Sequence, residues 1–171
     1  VTESGSFETK LVLDSRIPKA FFKDTKSIKL QQHFLGWVIK TESEVFDPSR
    51  FVMMDYRLRD PGTTSFIYIL PYSKTEALVE FTYFSSDLVA QEGYENYLKT
   101  YLKEYLKLDS YEITATEQGN IPMSTYRFER HHTSLVHKIG TAGGWVKPST
   151  GYSFKRSEKF VDQLLKNYLA G

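Results

Sequence analysis

Alternating apolar and polar positions dominate the first half of the chain. Residues 7–13 alternate well enough for a strand that stops at Asp14, Ser15 and Arg16. Residues 20–29 lose the alternation and read as a loop. A long strand follows over 31–42, then turn chemistry at Asp47 and Pro48, then another strand over 50–58. Two apolar runs, 65–71 and 76–84, flank the short polar stretch Tyr72, Ser73, Lys74 and Thr75 and predict a hairpin. Over 92–107 the period changes. Tyr94, Tyr97, Leu98, Tyr101, Leu102, Tyr105 and Leu106 fall three and four residues apart, as on one face of an amphipathic helix. Such a stripe packs on a sheet, with Lys99, Lys103, Glu104 and Lys107 toward water. Residues 111–123 return to a strand, and the glycine-rich stretch 139–154 feeds a second helix, with Phe154, Val161, Leu164, Leu165 and Tyr168 on one face. Neighbouring strands plus two helices predict the α+β class, with an antiparallel or mixed sheet and packed helices.

Composition narrows the function. At 171 residues the chain is long enough for a real core. A net charge of +1 offers no electrostatic case for nucleic acid. With no cysteine, disulfides, thiolate catalysis and cysteine-ligated zinc are excluded. No apolar run reaches the length of a membrane span, and no signal peptide opens the chain. The first residue is Val1 rather than Met, as expected of an excised piece. Residues 1–6 read as a frayed end. His33, His131, His132 and His137 include no pair at metal-ligand spacing on a helix, so no metal site is expected; on a strand, adjacent His131 and His132 would point apart. Asp55 and Arg57 share a strand face, as a structural ion pair or as part of a ligand rim.

Two stretches could carry chemistry. In residues 140–152, Gly143 and Gly144 allow backbone conformations closed to other residues and let a ligand lie against the main chain. Pro148 and Ser149 read as a helix start, with Ser149 or Thr150 as cap and a positive dipole end toward an electron-rich ligand. The plainer reading is a loop that merely turns the chain. The other stretch is the strand around Glu80. Leu78, Thr82 and Phe84 share the Glu80 face, while Val79, Phe81 and Tyr83 point the other way. A carboxyl among apolar side chains has a raised pKa and can act as a general acid. The plainer reading is an edge glutamate paired with Lys or Arg.

Six stretches, quoted in chain order, resemble lycopene β-cyclases of the flavoprotein type: LDSR, QHFLGWVIKTESEVFDP, MMDYR, FIYILPYSKTEALVEFT, EQGNIPM and IGTAGGWVKPSTGY. The resemblance covers almost the whole chain. It implies part of an FAD/NAD(P)-binding flavoprotein of the p-hydroxybenzoate-hydroxylase-like class. Residues 1–139 would form the substrate-binding sheet domain, and 140–171 the returning flavin-contact loop and helix. It also implies a reaction. Each ψ-end of lycopene closes to a β-ionone ring, giving β-carotene without net redox change. Reduced FAD is then a non-consumed cofactor and NAD(P)H a candidate reductant. The chemistry needs an acid for an isolated alkene, a pocket without water, and a base for a ring proton. By the resemblance Glu80 is the acid. Relatives tend to carry a second acid where this chain has Phe81, so the base stays unassigned. Gly143, Gly144, Pro148, Thr150 and Gly151 would contact the flavin. Lys147, where many relatives carry His, would offer it positive charge, and Arg16 would sit near it.

The family's N-terminal strand and GxGxxG fingerprint are absent from the sequence. The chain is therefore expected to need that missing dinucleotide-binding segment of the same protein, and not to bind FAD tightly or to cyclise lycopene alone. The expected partner is a carotenoid taken from a membrane, with no nucleic acid. The expected location is cytoplasmic, with peripheral membrane contact at most. Two other readings remain: a flavoprotein oxidoreductase of the isoprenoid-reductase or hydroxylase type, and a non-catalytic module that binds hydrophobic ligands.

Overall fold

A computed structural model of the chain describes residues 5–169, so the expected frayed end lies, for residues 1–4, outside the described residues. In chain order the elements are β1 (Val12–Asp14), α1 (Lys19–Lys23), β2 (Lys29–Lys40), β3 (Val52–Asp55), β4 (Thr64–Pro71), β5 (Glu76–Ser85), α2 (Gln91–Glu104), β6 (Glu112–Ser124), β7 (Val136–Lys138) and α3 (Phe154–Leu169). Single 3₁₀ turns cover Phe128–His131 and Gly140–Gly143. The class is α+β, as the pattern predicts.

Two compact units form. One is Leu30–Pro122; the other joins the chain up to Lys29 with the chain from Met123 onward. The expected boundary after residue 139 therefore shifts. The reason is backbone pairing: β1 lies parallel to β7, with Val12 opposite Val136 and Asp14 opposite Lys138. That pair ties the early chain to the residues that lead into the glycine-rich stretch.

The unit Leu30–Pro122 is built on a five-stranded sheet in the order β3-β4-β5-β2-β6. The β4–β5 hairpin and the β2–β5 pair are antiparallel, and β5 is buried from Ala77 to Tyr83. One sheet face is covered by α2. Tyr94, Leu98, Tyr101 and Leu102 are buried with Leu35, Ile67, Val79 and Phe81, and Tyr97 stacks on Phe81 at a centroid distance of 4.6 Å. The tyrosine stripe is thus core. The helix stops at Glu104, short of 107, because Lys107 takes a left-handed φ of 57° and the Leu108 N–H turns back to the Leu102 carbonyl.

The strand expected over 50–58 shortens to Val52–Asp55. Met54 has a φ of 59°, and pairing with β4 shifts register there. Asp55 and Arg57 prove to be a structural ion pair. Arg57 binds Asp55 at 2.5 Å, and Tyr101 on α2 donates to the same carboxylate oxygen at 2.5 Å.

In the other unit the strand expected over 7–13 contracts to β1. Part of the expected loop 20–29 is the single-turn helix α1, whose buried Phe21 packs against Tyr126 and Phe128. His131 and His132 are not on a strand: they close a 3₁₀ turn, with His131 hydrogen-bonded to the Tyr126 hydroxyl. Among the described residues no helix is long and apolar enough to cross a membrane.

Candidate functional site

Glu80 lies in the middle of β5, opposite Gly36 on β2 and Tyr68 on β4. Cross-strand partners share a sheet face. The flanking trios on this face are Phe34, Thr82 and Phe66 on one side and Val38, Leu78 and Leu70 on the other. The carboxyl is therefore surrounded mainly by apolar side chains, on the face opposite to α2. Its residue is 9% exposed. The Thr82 hydroxyl donates to Glu80 Oε1 at 2.6 Å.

Burial raises the Glu80 pKa from 4.5 to about 7; the hydrogen bond from Thr82 opposes the rise, while a hydrogen bond with Glu117 and the charge of Glu117 add to it. Among the described residues the charged neighbour of Glu80 is thus another carboxylate, not a Lys or Arg. The reading as a paired edge charge fails, because β5 is the central strand and, among the described residues, no cation reaches its midpoint. A carboxylic acid that keeps its proton near neutral pH is the group that general-acid chemistry needs.

Glu117 comes from β6, two strands away, and reaches the site because β2 carries Gly36 between them. A Cβ at Gly36 would stand 2.9 Å from Leu78 Cδ1, 3.0 Å from Glu117 Cγ and 3.3 Å from Glu117 Oε1. Any larger residue would take the space through which the two carboxyls meet. Sequence reasoning passed over Glu117, which is exposed on a strand of mostly exposed residues. The available signal was Gly36 in a long strand, where glycine often marks a close approach.

The residues expected at a flavin all belong to the second unit. The Asp14 carbonyl accepts from the Ile139 N–H, so the chain leaving β1 adjoins the start of the glycine-rich loop. Arg16, itself exposed, forks onto Asp14 through Nε at 2.8 Å and Nη2 at 3.0 Å, and Lys138 Nζ reaches the same carboxylate at 2.8 Å. These bonds, the one to Arg16 first, hold the Asp14 carboxyl well below the usual range. Gly144 and Gly151 take left-handed φ values of 73° and 72°. Gly143 has no room for a Cβ, which would stand 2.5 Å from the Lys138 carbonyl oxygen.

The helix expected to start at Pro148 and Ser149 does not. Lys147 O accepts from the Thr150 and Gly151 amides, closing a turn over Pro148 and Ser149, and α3 begins only at Phe154. The positive end of that helix is therefore not at Ser149. The amides of Gly143, Gly144, Thr150 and Gly151 all donate within the loop. Gly140 takes a φ of 59° and has nothing within 4 Å of where a Cβ would stand. Lys147 and Pro148 are exposed.

His33 and Tyr83 are also buried, on the sheet face that α2 covers. His33 joins the Tyr94 hydroxyl at 2.5 Å and the Ser85 hydroxyl at 2.7 Å on the α2 face, and burial lowers its pKa. The Tyr83 hydroxyl donates to Asp60 at 3.0 Å.

A family model described as lycopene cyclase protein matches residues 2–169. No curated protein matches the chain. Among solved structures, a geranylgeranyl bacteriochlorophyll reductase-like protein from Thermoplasma acidophilum aligns with a TM-score of 0.53 at 16% identity. The alignment covers 74% of this chain and 30% of that one. At that identity the likeness is one of fold, and the chain spans under a third of the solved protein.

Proposed function

The chain belongs to the lycopene cyclase family, and on that premise we propose that it is the proton-donating part of a lycopene β-cyclase. In this reading Glu80 delivers a proton to the isolated alkene at a ψ-end of lycopene, and the cation that forms closes to a β-ionone ring. The observation that carries the reading is the state of Glu80. It is a buried carboxyl with a pKa raised to about 7, with no cation beside it among the described residues. Ordinary carboxylates are too weak as acids at neutral pH because they have already lost their proton. Leu78 and Phe66, both buried, and Phe34 limit water near Glu80, and water would capture a carbocation.

The unit that holds Arg16 and the loop 140–152 is assigned to flavin contact. Gly143, Gly144, Pro148, Thr150 and Gly151 shape the loop, while Lys147 and Arg16 offer positive charge. Reduced FAD, when bound, supplies negative charge that favours a cationic transition state. NAD(P)H is the reductant that would keep it reduced. The enzyme takes its carotenoid from a membrane by peripheral contact on the cytoplasmic side.

Expression of the full-length parent in lycopene-accumulating cells tests the reading. Wild type turns the pigment to β-carotene, and Glu80→Gln leaves lycopene with the protein still folded. A Glu80→Gln variant that forms β-carotene at the wild-type rate removes Glu80 from the chemistry and supports a non-catalytic binding role. The fold is shared with a reductase-like protein, which is why hydride transfer to an isoprenoid is the second reading. It predicts a product with two more hydrogens than its substrate, whereas cyclisation gives an isomer.

A further inference from the structure

The structure supplies a second carboxyl where the sequence around Glu80 has none. Phe81, the neighbour of Glu80 on β5, points to the α2 face and stacks on Tyr97. It cannot serve the site. Glu117 arrives from β6 instead, over Gly36, which stands directly opposite Glu80 in the β2–β5 register. Glu117 Cγ and Oε1 stand against the space above Gly36, the residue directly opposite Glu80, and this placement brings the two carboxyls side by side across β2.

We propose that Glu117 is the proton partner of Glu80: the two carboxyls share one proton across the gap at Gly36, and Glu117 collects the proton that the new ring releases. The inference rests on the cyclase reading for its chemistry. Among the described residues, the titratable groups that face Glu80 are Glu117 from β6 and Tyr68 from β4. β2 contributes Gly36, which has no side chain, and the neighbours on the same face of β5 are Leu78 and Thr82. Protonated Glu80 donates to the Glu117 carboxylate, so a proton on Glu80 satisfies both groups at once.

The step balances without an oxidant. The Glu80 O–H bond breaks as a C–H bond forms at the terminal alkene, which leaves a tertiary cation and a Glu80 carboxylate. A second alkene of the substrate attacks the cation, forming the ring C–C bond and moving the positive charge onto the ring. A ring C–H bond then breaks, its electron pair becomes the ring double bond, and Glu117 takes the proton. Transfer along the shared hydrogen bond returns a proton to Glu80. One proton enters and one leaves. Glu117, on an exposed position, also gives the pair a route to exchange with water.

Titration of the glutamate carboxyl carbons by NMR in this chain tests the pairing, with Glu117→Gln, Glu117→Asp and Gly36→Ala compared with wild type. Glu117→Gln is expected to lower the Glu80 midpoint by roughly one pH unit, because a carboxylate neighbour raises a carboxyl pKa by about that much or more. Gly36→Ala should lower it as well, by displacing Glu117 without removing a charge. An unchanged midpoint in both variants overturns the proposal. In the full-length parent, Glu117→Gln should slow ring formation at least tenfold at unchanged thermal stability, and Glu117→Asp should restore part of the rate. A lowered midpoint with wild-type ring formation overturns the proton-collecting role. If the wild-type parent forms no ring, the cyclase reading fails, while the midpoints still decide whether the two carboxyls share a proton.

Discussion

Replacing Glu80 by Gln should change how the stability of this chain depends on pH, in a direction the structure fixes. The substitution keeps the size of the side chain and leaves an oxygen to accept from Thr82, now at 2.6 Å from Glu80 Oε1. It removes the titration. In the folded protein the Glu80 pKa is raised from 4.5 to about 7, first by burial. A raised folded pKa means that the native state holds its proton more tightly than the unfolded chain does. The associated stability is full below about pH 4.5 and is lost as the pH rises through about 7. The step corresponds to about 3 kcal/mol at most, a large share of the 5–15 kcal/mol typical of a small domain. Urea denaturation of both proteins from pH 4 to pH 8 measures it, with tryptophan fluorescence reporting on buried Trp37. The Glu80→Gln protein should gain on wild type as the pH rises, with most of the gain between pH 5 and pH 7.5. Taking the difference between the two proteins cancels the titrations they share. Parallel curves would refute the reasoning, because they would mean that Glu80 is solvated or paired like an ordinary surface acid.

Two further outcomes follow from other parts of the molecule. Asp55→Asn should destabilise the protein by about 1–2 kcal/mol at neutral pH. The Asp55 pKa is lowered to about 2, first by its hydrogen bond to Arg57, so that contribution is present above pH 3.8 and lost as the pH falls toward 2; acid denaturation should therefore separate wild type from the variant at pH 5 and bring them together near pH 2. Mixed with FAD and passed through a desalting column, this chain alone should emerge colourless, since the sequence has no GxGxxG unit to hold the dinucleotide; a yellow protein with stoichiometric flavin would show that the loop 140–152 suffices.

Long periodic segments were legible in the sequence because one physical cause dominates them. In β2, the β4–β5 hairpin and α2, the apolar residues that mark the element in the sequence are those buried in the core. Elsewhere the local pattern was overridden. β3 ends early because Met54 adopts a left-handed backbone that no alternation rule anticipates. α1 exists because Phe21 finds Tyr126 and Phe128 about a hundred residues later in the chain. The turn at Lys147 absorbs Pro148 and Ser149, whose composition alone suits a helix start equally well. At the site, Glu80 could be singled out because a carboxylate amid apolar strand residues breaks the pattern. Glu117 could not. Its meeting with Glu80 depends on strand order β5-β2-β6 and on the register that sets Gly36 between them. Neither is encoded in the residues beside it.

In the proposed reaction a proton from Glu80, not a hydride, begins ring closure. The most direct measurement is mass spectrometry of the carotenoid made by the full-length parent in deuterated water with lycopene and reduced flavin. The expected product is β-carotene that carries one deuterium per ring formed, with no product from Glu80→Gln. A ring product free of deuterium, or a product two hydrogens richer than lycopene, would contradict it.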